Sequence, residues 1–494
     1  MNYLLNLCVI SWQRRLFTSL VIAILVFIAT IFWLRQLDPN ITNQMSNGAF
    51  MTRLLGIPAL VALSCLALTT GCSQLANRTS VASGTAEVAV ASSQPFRVQV
   101  VGVQWLNPLV RRDYPTEWQL LWTLGLVKPN RNDEKVKEKP AKFSTVQPIA
   151  AIAVNLGKNT PAGFLDAYLS DTFKPLSRGY ATEAKYFYTV QPEKVQYWRE
   201  LHGIHVEVAV PDIPQLGADR VTAMVVDQLD AQFVFRSVPN LSTANIPADV
   251  NTTVGGANVG FTSLAKAMDY LEKHPNKSVW VYSWDSPDFP KDEQMSENST
   301  LLVLAGPTFN TEREPLAWIS RPSVQEAKTF EARDGQSRVA QAWQTAIRKA
   351  SEQAKIEPTK ISYVIHDAGY GNDVSGERLG MLGQALATTA PELDFMKQTF
   401  NTSKLLGDMR AGSALTNIAL AIAWTHQKGQ PVLVAGTTEP ERATVVVVTP
   451  PAKPRLYNPD KDWFRARGEG TTYLPWWGMR KDEKWDSYMQ GYSF

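Results

Sequence analysis

Apolar and polar residues follow the same order in two stretches of the chain. Phe261–Ser283 and Leu415–Thr437 begin 154 residues apart, and each follows an entry rich in Gly, Ala or Ser. Each stretch has apolar residues at helical spacing, breaks near a Pro or Gly, and continues into an apolar strand. A second apolar strand follows in each copy, at Thr300–Leu304 and at Thr444–Val448. An internal repeat on this scale predicts two similar α/β halves.

The rest of the chain alternates between strand and helix patterns. Strands are predicted at Phe96–Val103, Ile149–Leu156, Val221–Val226, Phe233–Phe235 and Ile361–Ile365. Helices are predicted at Glu117–Leu124, Gly163–Asp171 and Gly376–Ala387, with a long helix within Glu326–Lys355. Asn130–Lys142 is dense in charge and predicts a solvated loop, and Thr308–Pro322 is predicted to be a linker.

Two apolar runs indicate how the elements pack. Val445–Val448 is apolar at consecutive positions, which is typical of a strand buried on both faces. Ile418–Trp424 is apolar around its whole circumference as a helix, so this helix should be covered on both sides. The expected fold is therefore α/β, with helices sandwiched between two sheets.

The N-terminal region contains two further apolar runs. Leu16–Leu34 has 19 residues without a charge, which is enough to cross a membrane as a helix. Leu54–Gly71 ends just before Cys72 and resembles a bacterial lipoprotein signal, although Thr69 replaces the preferred Leu. The chain is thus expected to start with one or two hydrophobic helices. If Met51 is the working start, the body is exported and Cys72 is the lipidation site; if both runs insert, the body stays in the cytoplasm. We favour export.

Charge and cysteine content exclude several functional classes. The 494 residues include 49 Lys and Arg against 46 Asp and Glu, so the charge gives no argument for nucleic acid. The three cysteines, Cys8, Cys65 and Cys72, all precede the folded body. That body can therefore contain no disulfide, no cysteine-bound metal and no thiol nucleophile. No cofactor is predicted.

Two segments of the second half resemble the thiolase-like fold shared by thiolases and ketoacyl synthases. Ile361–His366 is similar to the strand that leads to the first catalytic His of that family. Ser403–Ser413 is similar to its segment containing a Lys and the second His. The resemblance covers Ile149–Thr449 and implies duplicated halves in five αβαβα layers.

The resemblance also implies positions for a catalytic site. His366 corresponds to the first His, Lys404 to the Lys, and Asp408 to the second His, while Thr253 lies near the expected place of the nucleophilic Cys. A hydroxyl is a far weaker nucleophile than a thiolate, and a carboxylate at Asp408 would repel a developing oxyanion. We therefore predict a condensing site that has lost its chemistry.

Other polar residues offer weaker candidates. His202 and His205 could share a metal ion or could be ordinary loop histidines. His366 and Asp367, with Asp373 and Glu377, could support acid–base chemistry, but a polar strand-to-helix loop with an acidic first helix turn explains them more simply.

The C-terminal tail, Tyr457–Phe494, is rich in aromatic residues and Arg. Such residues are common at binding hot spots, so the tail could bind a partner; alternatively, it wraps the body and buries its own rings. The candidate partner-binding residues are Trp463, Trp476, Trp477 and Trp485.

Phe96–Leu126, together with the second-half motifs, resembles the bacterial type VI secretion lipase adapters. This resemblance implies a non-catalytic, membrane-associated adapter that binds a lipase effector and a component of the secretion spike. Two alternatives stay open. One is an enzyme that binds or hydrolyses acyl thioesters with His366 and Thr253. The other is a structural lipoprotein of the cell envelope.

The expected organisation has six segments. They are a membrane or signal region (1–72), a tether (73–94), an N-terminal segment (95–145), two thiolase-like halves (146–310 and 311–450) and the aromatic tail (451–494). We expect a protein anchored in the bacterial envelope with a periplasmic body.

Overall fold

The computed structural model describes residues 95–108, 116–144, 146, 159–177, 203–233, 247–289, 295–310, 314–333, 335–369 and 373–456. Both N-terminal apolar runs, the predicted strand Ile149–Leu156 and most of the aromatic tail lie outside these ranges. Within the ranges, no helix is long and apolar enough to span a membrane.

The described elements alternate between strand and helix. The strands are β1 (Arg97–Leu106), β2 (His205–Val210), β3 (Asp249–Val254), β4 (Ser278–Asp285), β5 (Asn298–Ala305), β6 (Ala317–Ser320), β7 (Ser323–Glu326), β8 (Tyr363–His366), β9 (Thr399–Asn401), β10 (Val432–Gly436) and β11 (Arg442–Thr449). The α-helices are α1 (Thr116–Thr123), α2 (Glu134–Glu138), α3 (Pro161–Ser177), α4 (Ala218–Phe233), α5 (Val259–Lys273), α6 (Arg338–Ala354), α7 (Asp373–Thr389), α8 (Thr402–Leu406) and α9 (Ser413–Lys428).

The two halves repeat one order of elements. The first half runs α3-β2-α4-β3-α5-β4-β5, and the second runs α6-β8-α7-β9-α9-β10-β11 with the short α8 added. In each half three strands are parallel, in the order β3-β2-β4 and β9-β8-β10, and a fourth strand pairs antiparallel with the last of them. Helices α5 and α9 begin at residues 259 and 413, again 154 apart. The predicted duplication of an α/β unit is therefore confirmed.

One mixed sheet of 11 strands connects the halves. Its order is β3-β2-β4-β5-β1-β6-β11-β10-β8-β9, with β7 paired to β11. Strand β1 pairs antiparallel with β5 of the first half and with β6, which in turn pairs with β11. The strand predicted at Phe96–Val103 thus links the sheet of one half to that of the other.

Helix α9 lies in the core. Along its length only Trp424 and Lys428 have more than marginal exposure. It contacts β10 and β11 of its own half as well as β5 of the first half. The all-round apolar pattern correctly predicted a helix covered on both sides.

The strand predicted at Val221–Val226 is wrong, and of the strand predicted at Phe233–Phe235 only Phe233 lies within the described residues. Residues 218–233 form helix α4, whose buried positions are Val221, Val225, Leu229 and Phe233. These positions are four residues apart, which is the spacing of one helix face. The β-branched Val residues suggested a strand, but the burial of one helix face against the core overrides that local preference.

The long helix predicted within Glu326–Lys355 is confirmed. It runs from Arg338 to Ala354, and the Ser337 side chain accepts a hydrogen bond from the backbone N–H of Ala340 at its start. Two smaller predictions need correction. The predicted linker Thr308–Pro322 contains β6. The predicted loop Asn130–Lys142 contains α2, because Val136 becomes buried while its charged neighbours stay in solvent.

Candidate functional site

The first turns of α5 and α9 meet where the two halves join. Gly260 in α5 lies directly against α9: a Cβ at this position would be 2.9 Å from the Cβ of Ala414 and 3.2 Å from the Cγ of Leu415. Only a residue without a side chain allows this close approach. Because of this contact, the N-termini of α5 and α9 lie next to each other.

Asn258 is the residue immediately before α5. Its side chain is 7% exposed, and neither amide atom has a hydrogen-bond partner among the described residues. The amide packs against Gly436 at the end of β10, where any Cβ would overlap it. The helix N-terminus that could activate a thiolate therefore carries an amide, which is not a nucleophile.

Thr253 lies away from this helix N-terminus. It belongs to β3, six residues before the first residue of α5, and its hydroxyl accepts a hydrogen bond from Lys266 Nζ at 2.8 Å. Lysine donates here and cannot act as a base towards that hydroxyl while it is protonated.

His366 is the last residue of β8 and is 2% exposed. Burial lowers its pKa to about 4, so the imidazole is neutral near pH 7. Its Nδ1 accepts a long hydrogen bond of 3.4 Å from the backbone N–H of Ala368, and its ring stacks near Phe395 with centroids 6.1 Å apart. These contacts hold the imidazole ring in place, and we assign it a role in packing.

Asp367 follows β8 and is also buried. One carboxyl oxygen accepts hydrogen bonds from the backbone N–H of Thr437 at 2.8 Å and from its hydroxyl at 2.9 Å. Burial raises the pKa of Asp367, the bonds from Thr437 oppose that rise, and the charge of Asp408 adds to it. The carboxyl group thus connects the end of β8 to the end of β10.

Helix α8 is fastened to the end of β8 by two side chains. The hydroxyl of Thr402 donates to the carbonyl of His366 at 3.1 Å, and the hydroxyl of Ser403 donates to the carbonyl of Asp367 at 3.2 Å. Lys404, the next residue of α8, is exposed. Lys404 is therefore held near the end of β8 by its helix, but its side chain is exposed to solvent.

Asp408 lies in the loop between α8 and α9. It is exposed and accepts a hydrogen bond from the backbone N–H of Arg410 at 3.0 Å. Its negative charge contributes to the raised pKa of the buried Asp367. A carboxylate at Asp408 would destabilise an oxyanion formed beside it.

Asp285 fixes the same loop from the other half. This last residue of β4 is fully buried and accepts a hydrogen bond from the backbone N–H of Ala411 at 2.9 Å. Arg410 Nη2 donates to it at 3.3 Å, with the Arg410 backbone at an unusual φ of 38°. Burial raises the pKa of Asp285 to about 6, although Arg410 and two backbone N–H groups lower it.

The structure thus brings three of the four predicted positions, His366, Lys404 and Asp408, to one region and leaves Thr253 apart. Sequence reasoning missed the structural roles of Asp285 and Asn258. The only available signal for Asp285 was a lone acid at the end of an otherwise apolar strand. Its partner lies 126 residues away, which no local pattern can reveal.

Several predicted residues fall outside the described ranges, namely His202, Cys72 and the tail residues Trp463, Trp476, Trp477 and Trp485. Among the side chains that are described, no group of three or more His, Cys, Asp or Glu is arranged to hold a metal ion.

The family described as "Type VI lipase adapter protein Tla3, C-terminal" matches residues 316–450. The predicted resemblance is confirmed. The match to type VI lipase adapters spans β6 to β11, so it includes His366, Asp367, Lys404 and Asp408. A search of curated protein sequences gave no match.

Solved structures similar to the chain include three ketosynthases. The ketosynthase domain OzmH KS8 from Streptomyces albus JA3453 has a TM-score of 0.43 and 12% identity, covering 76% of this chain and 99% of its own. The ishigamide ketosynthase/chain length factor has a TM-score of 0.44 and 14% identity, covering 72% and 99%. A ketosynthase from module 1 of the bacillaene synthase of Bacillus amyloliquefaciens FZB42 has a TM-score of 0.44 and 10% identity, covering 75% of each chain. At these scores the similarity carries no argument about function.

Proposed function

We propose that this protein is a non-catalytic adapter that binds a type VI secretion lipase effector and presents it to a component of the secretion spike. The observation that carries the proposal is the match of residues 316–450 to the type VI lipase adapters. The side chain at the start of α5 supports it, because the residue immediately before this helix is Asn258, whose amide is not a nucleophile. In this proposal the duplicated fold is a degenerate thiolase-like scaffold that is kept for its surfaces.

Membrane association forms the second part of the proposal. Leu16–Leu34 is long enough to cross a bilayer, and the run that ends before Cys72 has the form of a lipoprotein signal. We propose that the body is anchored in the bacterial envelope on its periplasmic side. The near balance of charge gives no reason to expect nucleic acid as a partner.

The family-matched half exposes apolar side chains next to the candidate site. Met396 is 88% exposed and follows Phe395, whose ring stacks near His366. Leu405 is 37% exposed on α8, which is hydrogen-bonded to the end of β8. Large apolar side chains on a protein surface are common in partner interfaces. We propose that Met396 and Leu405 contact the lipase.

A matched pair of variants tests this contact. We expect Met396→Asp to weaken binding of the lipase encoded beside this gene by tenfold or more, because a charge would be buried in an apolar contact. Met295→Asp is the control, since Met295 is 44% exposed but lies in the first half, outside the matched region. The measurement is the dissociation constant of the purified pair. Equal affinities for the two variants would contradict the assigned surface.

A further inference from the structure

His205 is held between two carboxylates on neighbouring strands. Its Nδ1 lies 2.7 Å from Asp249 Oδ2, and its Nε2 lies 2.8 Å from Glu207 Oε1. His205 and Asp249 are direct partners in the parallel pairing of β2 with β3. The His205 and Glu207 side chains are 5% and 4% exposed, whereas that of Asp249 is 60% exposed. The predicted loop histidine is therefore a buried strand residue.

The two contacts indicate how many protons the His205 ring carries. A neutral imidazole has one N–H donor and one acceptor nitrogen, so it can donate to only one carboxylate. Its second nitrogen would then direct a lone pair at an oxygen of the other carboxylate. Only the imidazolium, with two N–H donors, satisfies both acceptors. Each ring nitrogen thus has a carboxylate partner at hydrogen-bond distance.

The surroundings of the ring also favour the doubly protonated imidazolium. Tyr270 of α5 stacks on the imidazole, with centroids 3.9 Å apart and an angle of 4° between the planes. Stacking on an aromatic face stabilises a cation. Burial opposes protonation of His205, but the hydrogen bonds and charges of Glu207 and Asp249 outweigh burial and raise its pKa.

The other groups around the ring do not compete for its proton. Strand β4 presents Val279 beside it, and β3 also contributes Asn251, whose amide donates to Glu207 at 3.4 Å. A further titratable group, His274, packs on the Tyr270 ring with centroids 4.4 Å apart. The described groups that face His205 are therefore Glu207, Asp249 and Tyr270.

Strand β3 depends on this contact more than the inner strands do. It ends the path of the described sheet and pairs there with β2 alone. It also leads directly into the turn before α5. We propose that His205, Glu207 and Asp249 form a pH-sensitive latch, in which the imidazolium fastens β3 to β2 and its deprotonation releases β3 and the turn that follows.

The sign of the pH effect follows from linkage. A His whose pKa is raised in the folded protein adds stability that is complete below its ordinary pKa near 6.5 and is lost as the pH rises through the raised value. The latch is thus closed below about pH 6.5 and opens as the pH rises through the raised pKa of His205.

Hydrogen exchange of the full-length protein tests the latch. The measured quantity is the protection of peptides from β3 relative to peptides from β10, at pH 6 and pH 9, after correction for intrinsic exchange. We expect this ratio to fall at least tenfold at pH 9. In His205→Gln the ratio should be low at both pH values, whereas His274→Gln should behave like the unmodified protein. An unchanged ratio in the unmodified protein, or the same fall in His205→Gln, would overturn the proposal.

A second measurement keeps the test decisive if His205→Gln does not fold. Nitrogen NMR of the unmodified protein, labelled at histidine, reports the proton content of each ring. We expect one imidazole whose deprotonation midpoint lies above those of the others and above the ordinary value near 6.5. If no imidazole has a midpoint above that ordinary value, the latch does not exist.

Discussion

At the scale of single residues, Asp285 stands out because it joins the two halves through one carboxyl group. It lies at the end of β4 yet accepts a hydrogen bond from the backbone N–H of Ala411, just before α9. The group is desolvated, and its charged partner Arg410 is half exposed. The ionised carboxylate is thus held at an energetic cost that protonation would relieve.

Asp285→Asn tests this cost. Because the pKa of Asp285 is raised from 3.8 to about 6, the folded protein takes up a proton before the unfolded chain does. The free energy of unfolding of the unmodified protein should therefore rise relative to Asp285→Asn as the pH falls from 7 to 4. The expected change is about 1–3 kcal/mol, measured by urea unfolding at several pH values.

Asp394→Asn provides the control of opposite sign. The hydrogen bond from Lys397 lowers the pKa of Asp394, so its favourable contribution is lost on acidification. Parallel stability curves for the unmodified protein and Asp285→Asn would show that Asp285 is not desolvated as described.

At the scale of elements, the contact of α5 with α9 defines how the halves join. Gly260→Ala would place a methyl group 2.9 Å from the Cβ of Ala414. Overpacking of this kind costs about 1–3 kcal/mol, and alanine recovers up to about 1 kcal/mol of helix propensity. We expect a net loss of about 1–2 kcal/mol in the free energy of unfolding.

Gly380→Ala is the matched control in α7. Nothing lies within 4 Å of a Cβ at this position, so only the gain in helix propensity remains. We expect stabilisation of about 0.5–1 kcal/mol in the same urea titration. If Gly260→Ala proved as stable as Gly380→Ala, the two helices would not pack as closely as the structure indicates.

The pattern of apolar residues correctly predicted helices and strands that are buried on every side. The α9 helix and the strand β11 were predicted because residues buried on every side leave an unbroken apolar run. Helix α4 was misread because its Val-rich sequence favours strands locally, while its packing against the core imposes a helix. Boundaries near β6 and β7 failed because four-residue strands carry too little pattern to be distinguished from a linker.

The candidate site was predicted less completely than the fold. The candidate positions His366, Lys404 and Asp408 came from a family resemblance, and their role in any reaction stays a prediction. Asp285, Asn258 and the His205 latch depend on partners that lie on different elements. Contacts of this kind arise from tertiary packing and leave no periodic signal in the sequence.

At the scale of the whole molecule, the duplicated architecture and the candidate site both fit a protein that acts by binding a partner. The repeated halves provide a rigid scaffold whose helix N-termini meet, and the polar groups gathered there are suited to hold strands and loops in place. The match to type VI lipase adapters covers the second half, where exposed apolar residues adjoin that site. Binding of a lipase is therefore the central claim.

Titration calorimetry with the lipase encoded beside this gene tests the claim most directly. The purified full-length protein and the purified lipase should form a saturable complex with a dissociation constant of about 1 μM or tighter, equivalent to about 8 kcal/mol. Absence of saturable binding at concentrations of about 100 μM, with both proteins folded, would contradict the adapter function.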